Sequence, residues 1–268
     1  MPTGIDHIVI AVRDLEQTST DYRRAGFTVV PGGEHKDGTT HNALVSFTDG
    51  AYFELIAFKE PDREQEHRWW HRLAKGEGLV DYALRTDDLR REVVDLRRRG
   101  LHPSDPIDGG RFRPDGQRLD WQTVRFEGAS SPALPFYCFD LTDRALRVPG
   151  GDATAHANGV AGVSGVTVVV GDIDATAPQF AALSGDEGTD ITGELADASS
   201  ARRYPVGNAS ITVVQPTIHP SDLRQQLELR GDSLFAVSLI ATDGGDASIP
   251  IGLAHGARLL LPVVSTAD

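Results

Sequence analysis

The stretch Gly4-Ile-Asp-His-Ile-Val-Ile-Ala-Val-Arg-Asp-Leu15 decides how the chain is interpreted. Residues 5–12 form a β-branched, apolar run that is too short for a buried helix, and such a run predicts a strand. Asp14 follows at the position of a helix N-cap, and Gln17 lies three residues later, which is the spacing of a capping box. The segment therefore predicts a strand that leads into a helix ending near Arg24.

The same pattern returns at Gly162-Val-Ser-Gly-Val-Thr-Val-Val-Val-Gly-Asp-Ile173, an offset of 158 residues. The same offset places Ala51-Tyr-Phe-Glu-Leu-Ile56 on Ala209-Ser-Ile-Thr-Val-Val214. One register fits both ends of a segment of about fifty residues, so we interpret the two halves as copies of one unit. Between them, residues 147–158 are rich in Gly, Ala, Asp and Pro and lack apolar periodicity, which predicts a linker.

The order of elements within the first copy follows from turn residues and apolar runs. After the helix, residues 28–30 are extended and the Pro31-Gly32-Gly33 segment is predicted to turn. Residues 42–47 and 51–58 are predicted strands, and Thr48-Asp-Gly50 forms the hairpin turn between them. The unit is therefore β-α-β-β-β.

Two weaker copies complete the pattern. In the first, the strand-like residues 79–86 precede Asp87-Asp88, which caps a helix that stops at Gly100, and strands follow near 119–126 and 134–141. A shortened fourth copy extends from 234 to 263, and further helices are predicted at 63–75 and 221–230. We therefore expect an α+β fold in which tandem βαβββ modules pair into two domains, each with a curved, mostly antiparallel sheet and helices outside. The predicted domains are 1–146, with modules at about 4–60 and 77–143, and 158–268.

Composition and charge limit the classes of protein to which this chain can belong. The 268 residues are 40% hydrophobic and 24% charged, which is typical of a globular protein. The formal net charge of −13 disfavours nucleic acids and membrane surfaces as partners. No apolar run reaches the roughly 18 residues of a membrane span and no export signal is visible, so we expect a soluble, cytoplasmic protein. Cys138 is the single cysteine, which excludes an internal disulfide and a multi-cysteine metal site.

The opening segment followed by a β-α-β-β-β unit resembles the vicinal oxygen chelate superfamily, which includes glyoxalase I, extradiol dioxygenases, resistance proteins and an epimerase. The first half is most similar to its glyoxalase-like branch, over about residues 4–142. The residues that carry this resemblance are Gly32-Gly33-x-His35, Thr40-His41-Asn42-Ala43-Leu44, Tyr52-Phe-Glu-Leu-Ile56, Arg113-Pro-Asp-Gly116 before Trp121, and Leu134-Pro-Phe-Tyr137. The resemblance implies a cavity that binds a small molecule, with or without a divalent metal.

His7 and Glu54 are the principal candidates for catalysis. Side chains alternate along a strand, so His7 shares a face with Ile5, Val9 and Ala11, and Glu54 lies on the face of Tyr52. Burying a histidine and a carboxylate in apolar strands costs free energy unless the two side chains face a ligand cavity or form a hydrogen bond with each other in a polar core. In enzymes of the superfamily these two positions hold the metal, and imidazole with carboxylate suits Fe, Mn, Ni or Zn.

The other modules offer poor additional ligands. The position matching His7 in the second module is Tyr82 or Asp81, and the position matching Glu54 falls near Tyr137. The corresponding positions of the third module are Gly165 and Thr212. We therefore expect any chemistry to lie in residues 1–142 and the second half to be a structural or lid-forming relic.

Secondary candidates have structural alternatives of similar weight. His41 is a candidate third ligand or general base, or it closes the Gly-rich turn, and Asn42 points to the opposite face. His35 is expected to be solvated. Arg111 and Arg113 fit a clamp for a substrate anion or a salt bridge that stabilises the turn.

Aromatic side chains are candidates for the wall of a ligand pocket. Trp121 lines a predicted pocket together with Tyr82 and Tyr137. Trp69-Trp70 either lines the same pocket or anchors the linker helix. Cys138 is interpreted as an inert core thiol.

Two functions fit these residues. The first is an enzyme in which a divalent metal or a bare His7/Glu54 pair holds a small oxygen-rich substrate and a proton moves on carbon, as in lyases, isomerases or dioxygenases. The second is a protein that binds and sequesters a small molecule without turnover. Either could act as a monomer or a homodimer. The sequence has no Gly-rich phosphate loop, nucleophile elbow or His-Glu-x-x-His helix.

Overall fold

Eight strands from the first half of the chain close into a barrel in this computed structural model, which describes residues 1–113, 115–128, 130–242 and 249–261. The barrel order is β1-β4-β3-β2-β6-β7-β8-β5. Its strands are β1 (Gly4–Val12), β2 (Val30–His35), β3 (Thr40–Ser46), β4 (Tyr52–Phe58), β5 (Gly78–Arg85), β6 (Ile107–Phe112), β7 (Arg118–Val124) and β8 (Phe136–Asp140).

The barrel contains the β-α-β-β-β order twice. Helix α1 (Leu15–Arg24) follows β1, helix α2 (Arg68–Leu73) links the two units, and helix α3 (Leu89–Arg98) follows β5. Within each unit the first and last strands pair in parallel, β1 with β4 and β5 with β8. Antiparallel pairs of β1 with β5 and of β2 with β6 join the units. The predicted α+β class is confirmed, and the curved sheet closes on itself.

A second sheet contains six strands in the order β10-β11-β12-β9-β13-β14. These are β9 (Val160–Val169), β10 (Thr189–Asp190), β11 (Ala198–Val206), β12 (Ala209–Pro216), β13 (Ser233–Ala241) and β14 (Leu259–Leu260). Helix α4 (Arg144–Arg147) ends the first half, α5 (Ile173–Ser184) follows β9, and α6 (Asp222–Arg230) precedes β13. The shortened fourth copy contributes β13 and β14, and its predicted end at residues 262–263 lies outside the described residues.

The helix starts follow the sequence signals. Asp14 accepts a hydrogen bond from the backbone N–H of Gln17 at 2.9 Å, and Asp88 and Asp172 cap α3 and α5 in the same way. The Gln17 side chain donates to Asp21 rather than completing a reciprocal capping box. None of the described helices is long and apolar enough to span a bilayer.

Both faces of the barrel strands are buried. Ile8 and Ile10 of β1 and Phe53 of β4 belong to a core that also contains Val166 and Ile211 of the second sheet, so the two halves share one apolar core. The alternate residues of the same strands form a smaller cluster against which α2 packs two tryptophans. This second face carries the polar residues described below. Burial on both faces explains the long apolar runs in the sequence.

Several local predictions were wrong. Pro31-Gly32-Gly33 lies inside β2 instead of turning, because β2 changes register there and its glycines allow β3 to approach closely. A Cβ atom on Gly32 would lie 2.0 Å from Asn42 Oδ1. The Gly-rich strand β6 was not predicted, since its stability comes from pairing with β2 and β7 rather than from its composition.

Two further differences affect the site. A register shift between Ile5 and His7 places Ile5 in the main core, so it does not share a face with Val9 and Ala11. Arg147, predicted to begin a linker, is the buried last residue of α4. Pro114, within the Arg-Pro-Asp-Gly segment, lies outside the described residues.

Candidate functional site

A cavity of about 410 Å³ opens inside the barrel, and both modules line it. The first module contributes His7, Asn42, Tyr52 and Glu54 to the lining. The second module contributes Arg111, Trp121 and Phe136. Exposed lining residues lie after β2 and at the start of β6, which marks the opening to solvent; these are Lys36, Asp37, Ile107 and Asp108. The cavity has the size and the mixed lining of a small-molecule site.

His7 is held in one orientation by its neighbours. Its Nδ1 atom lies 2.6 Å from Oδ1 of Asp6, and its ring stacks on Tyr52 with centroids 4.8 Å apart. Because the Asp6 carboxylate accepts, Nδ1 is the donor and Nε2 is the atom directed at the cavity. Nε2 lies 3.6 Å from Oε2 of Glu54. The two principal candidates therefore converge, as the sequence predicted.

Glu54 is buried but remains ionised. Asn42 Nδ2 donates to its Oε1 atom at 2.6 Å, and His35 Nε2 lies 3.4 Å from the same oxygen. Burial alone would raise the pKa of this carboxyl, but the hydrogen bond and charge of His35, the charge of His7 and the Asn42 amide outweigh burial and lower the pKa to about 2. Glu54 is thus a fixed negative charge between two imidazoles at neutral pH.

Two arginines of α4 neutralise Asp6, which is fully buried behind His7. Arg147 donates from Nη1 to Oδ1 at 2.9 Å and from Nη2 to Oδ2 at 3.0 Å, and Arg144 donates to Oδ2. Burial would raise the pKa of Asp6, but Arg147, the hydrogen bond to His7 and Arg144 hold it well below its usual value. Arg147 also donates to the Tyr52 hydroxyl at 2.7 Å, so the same ion cluster fixes the ring that stacks on His7.

Asp6, His7 and Cys138 are the one group of three or more His, Cys, Asp or Glu residues within the described ranges whose donor atoms all lie within 4.8 Å of one another. The charges around this group oppose such an ion, because both Asp6 oxygens already accept from arginines. Burial also raises the pKa of the Cys138 thiol and disfavours the thiolate that a metal needs.

The facing pair His7 Nε2 and Glu54 Oε2 fits a divalent ion better. Their separation of 3.6 Å is close to that of two ligands of one ion, for metal–ligand distances of about 2.1 Å. Asp6 holds the other ring nitrogen of His7, which is the arrangement found behind metal-binding histidines. Asn42 Oδ1, beside Glu54, is buried and has no hydrogen-bond partner among the residues that the structure describes.

Four predicted residues lie outside the cavity lining. Tyr82 and Tyr137 are core residues whose hydroxyls donate to Ala133 O at 3.1 Å and to Glu92 at 3.4 Å. His41 lies on the opposite face of β3 from Asn42, and burial lowers its pKa. Arg113 forms the turn salt bridge, with Nε 3.2 Å from Asp115. Arg113 thus follows the salt-bridge alternative, and strand alternation or a nearby partner directs the other three side chains away from the cavity.

Sequence reasoning missed other residues of the site. His35, expected to be solvated, lines the cavity, because β2 continues through the glycines and brings it beside Glu54. Asp6 and Arg147 were not considered. The Asp-His pair at positions 6 and 7 is a signal that could have indicated an oriented imidazole, whereas nothing local indicates Arg147. Trp69 lines the cavity, and Arg68 stacks over its ring and pairs with Asp81 at 2.8 Å.

Comparisons with known proteins agree with this fold. The model of the glyoxalase-like domain family matches residues 5–184. A hypothetical protein from Staphylococcus aureus is similar over 96% of this chain and 98% of its own, with a TM-score of 0.71 and 15% identity.

Two further solved structures share the fold at lower similarity. A mutant of 4-hydroxymandelate synthase from Streptomyces coelicolor has a TM-score of 0.58 and 15% identity, over 91% of this chain and 72% of its own. A fusion of a xylose isomerase-like TIM barrel with 4-hydroxyphenylpyruvate dioxygenase has a TM-score of 0.56 and 12% identity, over 91% and 37%. No curated protein sequence matches the chain.

Proposed function

Because the chain belongs to the glyoxalase-like domain family, within the vicinal oxygen chelate superfamily, we propose that the barrel cavity binds a small oxygen-rich molecule and moves a proton on one of its carbon atoms. Such chemistry is that of an isomerase or a lyase. The observation that carries the proposal is the pair His7 Nε2 and Glu54 Oε2, 3.6 Å apart and both buried in the wall of one cavity.

The proton is assigned to His7 rather than to Glu54. A carboxyl with a pKa of about 2 is a weak base, whereas an imidazole accepts and returns protons near neutral pH. Asp6 is a positioning residue: it fixes the His7 ring so that Nε2 faces the substrate, and its charge favours the imidazolium that forms. Glu54 stabilises the same positive charge from the cavity side and holds His35 in place.

A divalent metal at His7 and Glu54 is the second candidate, favoured by the Asp6 bond that leaves His7 Nε2 available as a ligand. A bound Fe, Mn, Ni or Zn ion would polarise substrate oxygens, and a redox-active one would extend the chemistry to the dioxygenase class. His7 and Glu54 would hold the ion, Asp6 would orient His7, and substrate or water would complete the coordination.

Sequestration without turnover is the remaining alternative. It needs only the aromatic wall of Trp69, Trp121 and Phe136 and a few polar anchors, all of which line the cavity. It does not require an imidazole with a carboxylate behind it. The Asp6–His7 bond therefore favours the enzyme.

Proton exchange in deuterated water tests the proposal. Purified protein is incubated with small 2-hydroxy and 2-oxo carboxylic acids, and loss of the α- or β-proton signal is followed by NMR. We expect exchange that His7→Gln abolishes and Asp6→Asn reduces by about 10²- to 10⁴-fold, the range for removal of general acid–base catalysis. Binding of these molecules without any exchange would support sequestration instead.

We also propose a domain division close to the sequence prediction. The site uses residues up to Arg147, so the first domain must extend at least one residue beyond 146 to keep the partner of Asp6. Residues 158–268 would form the second domain, which contributes none of the cavity lining within the described ranges. A monomer and a homodimer are both compatible with this cavity.

A further inference from the structure

Arg111 is a buried cation that lines the cavity without an anionic partner. Its side chain is 4% exposed, and its one hydrogen bond among the described residues runs from Nη2 to the Arg147 carbonyl at 3.1 Å. No carboxylate within those residues lies within 4.0 Å of its guanidinium. Burial lowers the pKa of Arg111, but an arginine keeps its charge in a protein.

The other buried charges of the cavity are already matched, whereas Lys36 and Arg125, which also line it, are exposed. Arg147 is paired with Asp6 and Asp140, and Arg68 is paired with Asp81. Glu54 interacts with the imidazoles of His7 and His35. Arg111 is therefore the buried cation that an incoming ligand would meet with donors still available, since its Nε and Nη1 atoms have no partner in the described part of the chain.

An unpaired guanidinium in a protein interior is unfavourable unless something supplies the missing acceptor. The position of Arg111 indicates where that acceptor would lie. Arg111 is the register partner of His35 across the β2–β6 pair, and His35 contacts Glu54. An anion on Arg111 thus lies next to the imidazole and carboxylate groups.

We propose that Arg111 binds the carboxylate of the ligand, so the cavity takes a small monocarboxylic acid whose apolar part packs on Trp121 and Phe136. A planar carboxylate matches the planar donors of one guanidinium, whereas a phosphate dianion calls for more buried cations than this one. As a statement about substrate the inference rests on the proposed function, but as a statement about binding it stands without turnover.

Matched ligands test the charge requirement in the unaltered protein. Dissociation constants are measured by calorimetry for 3-phenyllactate, its neutral amide 3-phenyllactamide, and phenyl phosphate. We expect the carboxylate to bind about 10- to 100-fold more tightly than the amide, the range for a charge-assisted hydrogen-bonded pair, and more tightly than the phosphate. Equal affinity of acid and amide, preference for the phosphate, or no binding of any of the three would overturn the proposal.

Variants locate the effect. Arg111→Gln should remove the preference for acid over amide, and Arg111→Lys should keep part of it because the charge remains. Arg113→Gln is the matched control: it lies two residues away on the same segment but outside the cavity lining, bonded to Leu146 O and Asp115. An acid preference that survives in Arg111→Gln, or that Arg113→Gln removes equally, contradicts the assignment.

Thermal unfolding separates a ligand site from a structural one. Since Arg111→Met removes a buried charge that lacks a partner, we expect its melting temperature to equal or exceed that of the unaltered protein. A large decrease would show that the bond to Arg147 O is the role of Arg111. Acid-selective binding with no proton exchange would refute the proposed enzyme function while leaving the carboxylate site intact.

Discussion

Arg147 donates from both terminal nitrogens to the two oxygens of Asp6, at 2.9 and 3.0 Å, across 141 residues of sequence. The pair is buried, and Asp6 in turn bonds to His7. This bidentate contact ties the last helix of the first half to the first strand of the barrel. It also neutralises a carboxylate that positions the proposed base.

Arg147→Met is expected to destabilise the protein by about 3–5 kcal/mol, the usual cost of leaving one partner of a buried ion pair uncompensated. Urea unfolding measures the change. The double variant Asp6→Asn with Arg147→Met should lose less than the sum of the two single variants, because the stranded charge is gone. The control is Arg203→Gln, whose exposed pair with Glu194 should contribute less than about 1 kcal/mol.

Acid should destabilise the protein between pH 4.5 and 2. The folded pKa of Glu54 is about 2, below its ordinary value of 4.5. The unfolded chain therefore binds the proton first as pH falls, so the stabilising contribution is complete above the unfolded pKa and is lost through this window. The shift corresponds to about 3 kcal/mol, and Asp6, whose pKa is also lowered, adds to the loss.

Urea unfolding at a series of pH values measures this loss. Glu54→Gln should be less stable at pH 7 and should show a flatter dependence on pH from 4.5 to 2. Asp62→Asn, at a side chain that is 92% exposed, is the control and should leave the profile unchanged. A profile for Glu54→Gln that parallels the unaltered protein would contradict the role of this carboxylate in stability.

Metal analysis of tag-free protein distinguishes the two possible donor groups. If an ion binds at His7 and Glu54, its stoichiometry should fall in His7→Ala and Glu54→Gln and stay unchanged in Cys138→Ala. Loss of metal in Cys138→Ala with full retention in Glu54→Gln would instead place the ion at Asp6, His7 and Cys138. We expect the first pattern for any metal that copurifies, because the arginines already occupy Asp6.

Gly32→Ala should disturb the site by overpacking β2 against Asn42 of β3. The new Cβ atom would lie 2.0 Å from Asn42 Oδ1, so the Asn42 side chain must move and its hydrogen bond to Glu54 should break. We expect a loss of about 1–3 kcal/mol in stability, typical of overpacking, and weaker ligand binding by calorimetry. Gly150→Ala meets no atom within 4 Å and is the control. Unchanged binding in Gly32→Ala would show that the Asn42 contact is dispensable.

Local sequence patterns are sufficient to predict the strand-helix order and the convergence of the His7 and Glu54 side chains. Regular alternation puts Tyr52 and Glu54 on one face, and parallel pairing of β1 with β4 brings that face beside His7. These relations are local or follow from the repeated unit, so periodicity and N-cap residues reveal them. The fold class and the convergence of His7 with Glu54 were therefore predictable.

Closure of the barrel determines which further charged side chains reach the cavity. His35 lines the cavity because β2 continues through its glycines. Arg111 lies on β6, a strand whose composition does not predict it and which forms by pairing with β2 and β7. Arg147 reaches Asp6 from α4, the helix at the end of the first half. Each depends on closure of the barrel, which brings distant segments together. Sequence periodicity reports the face of a strand on which a residue lies, but not which distant strand or helix will meet that face, because that choice minimises the free energy of the whole packed chain.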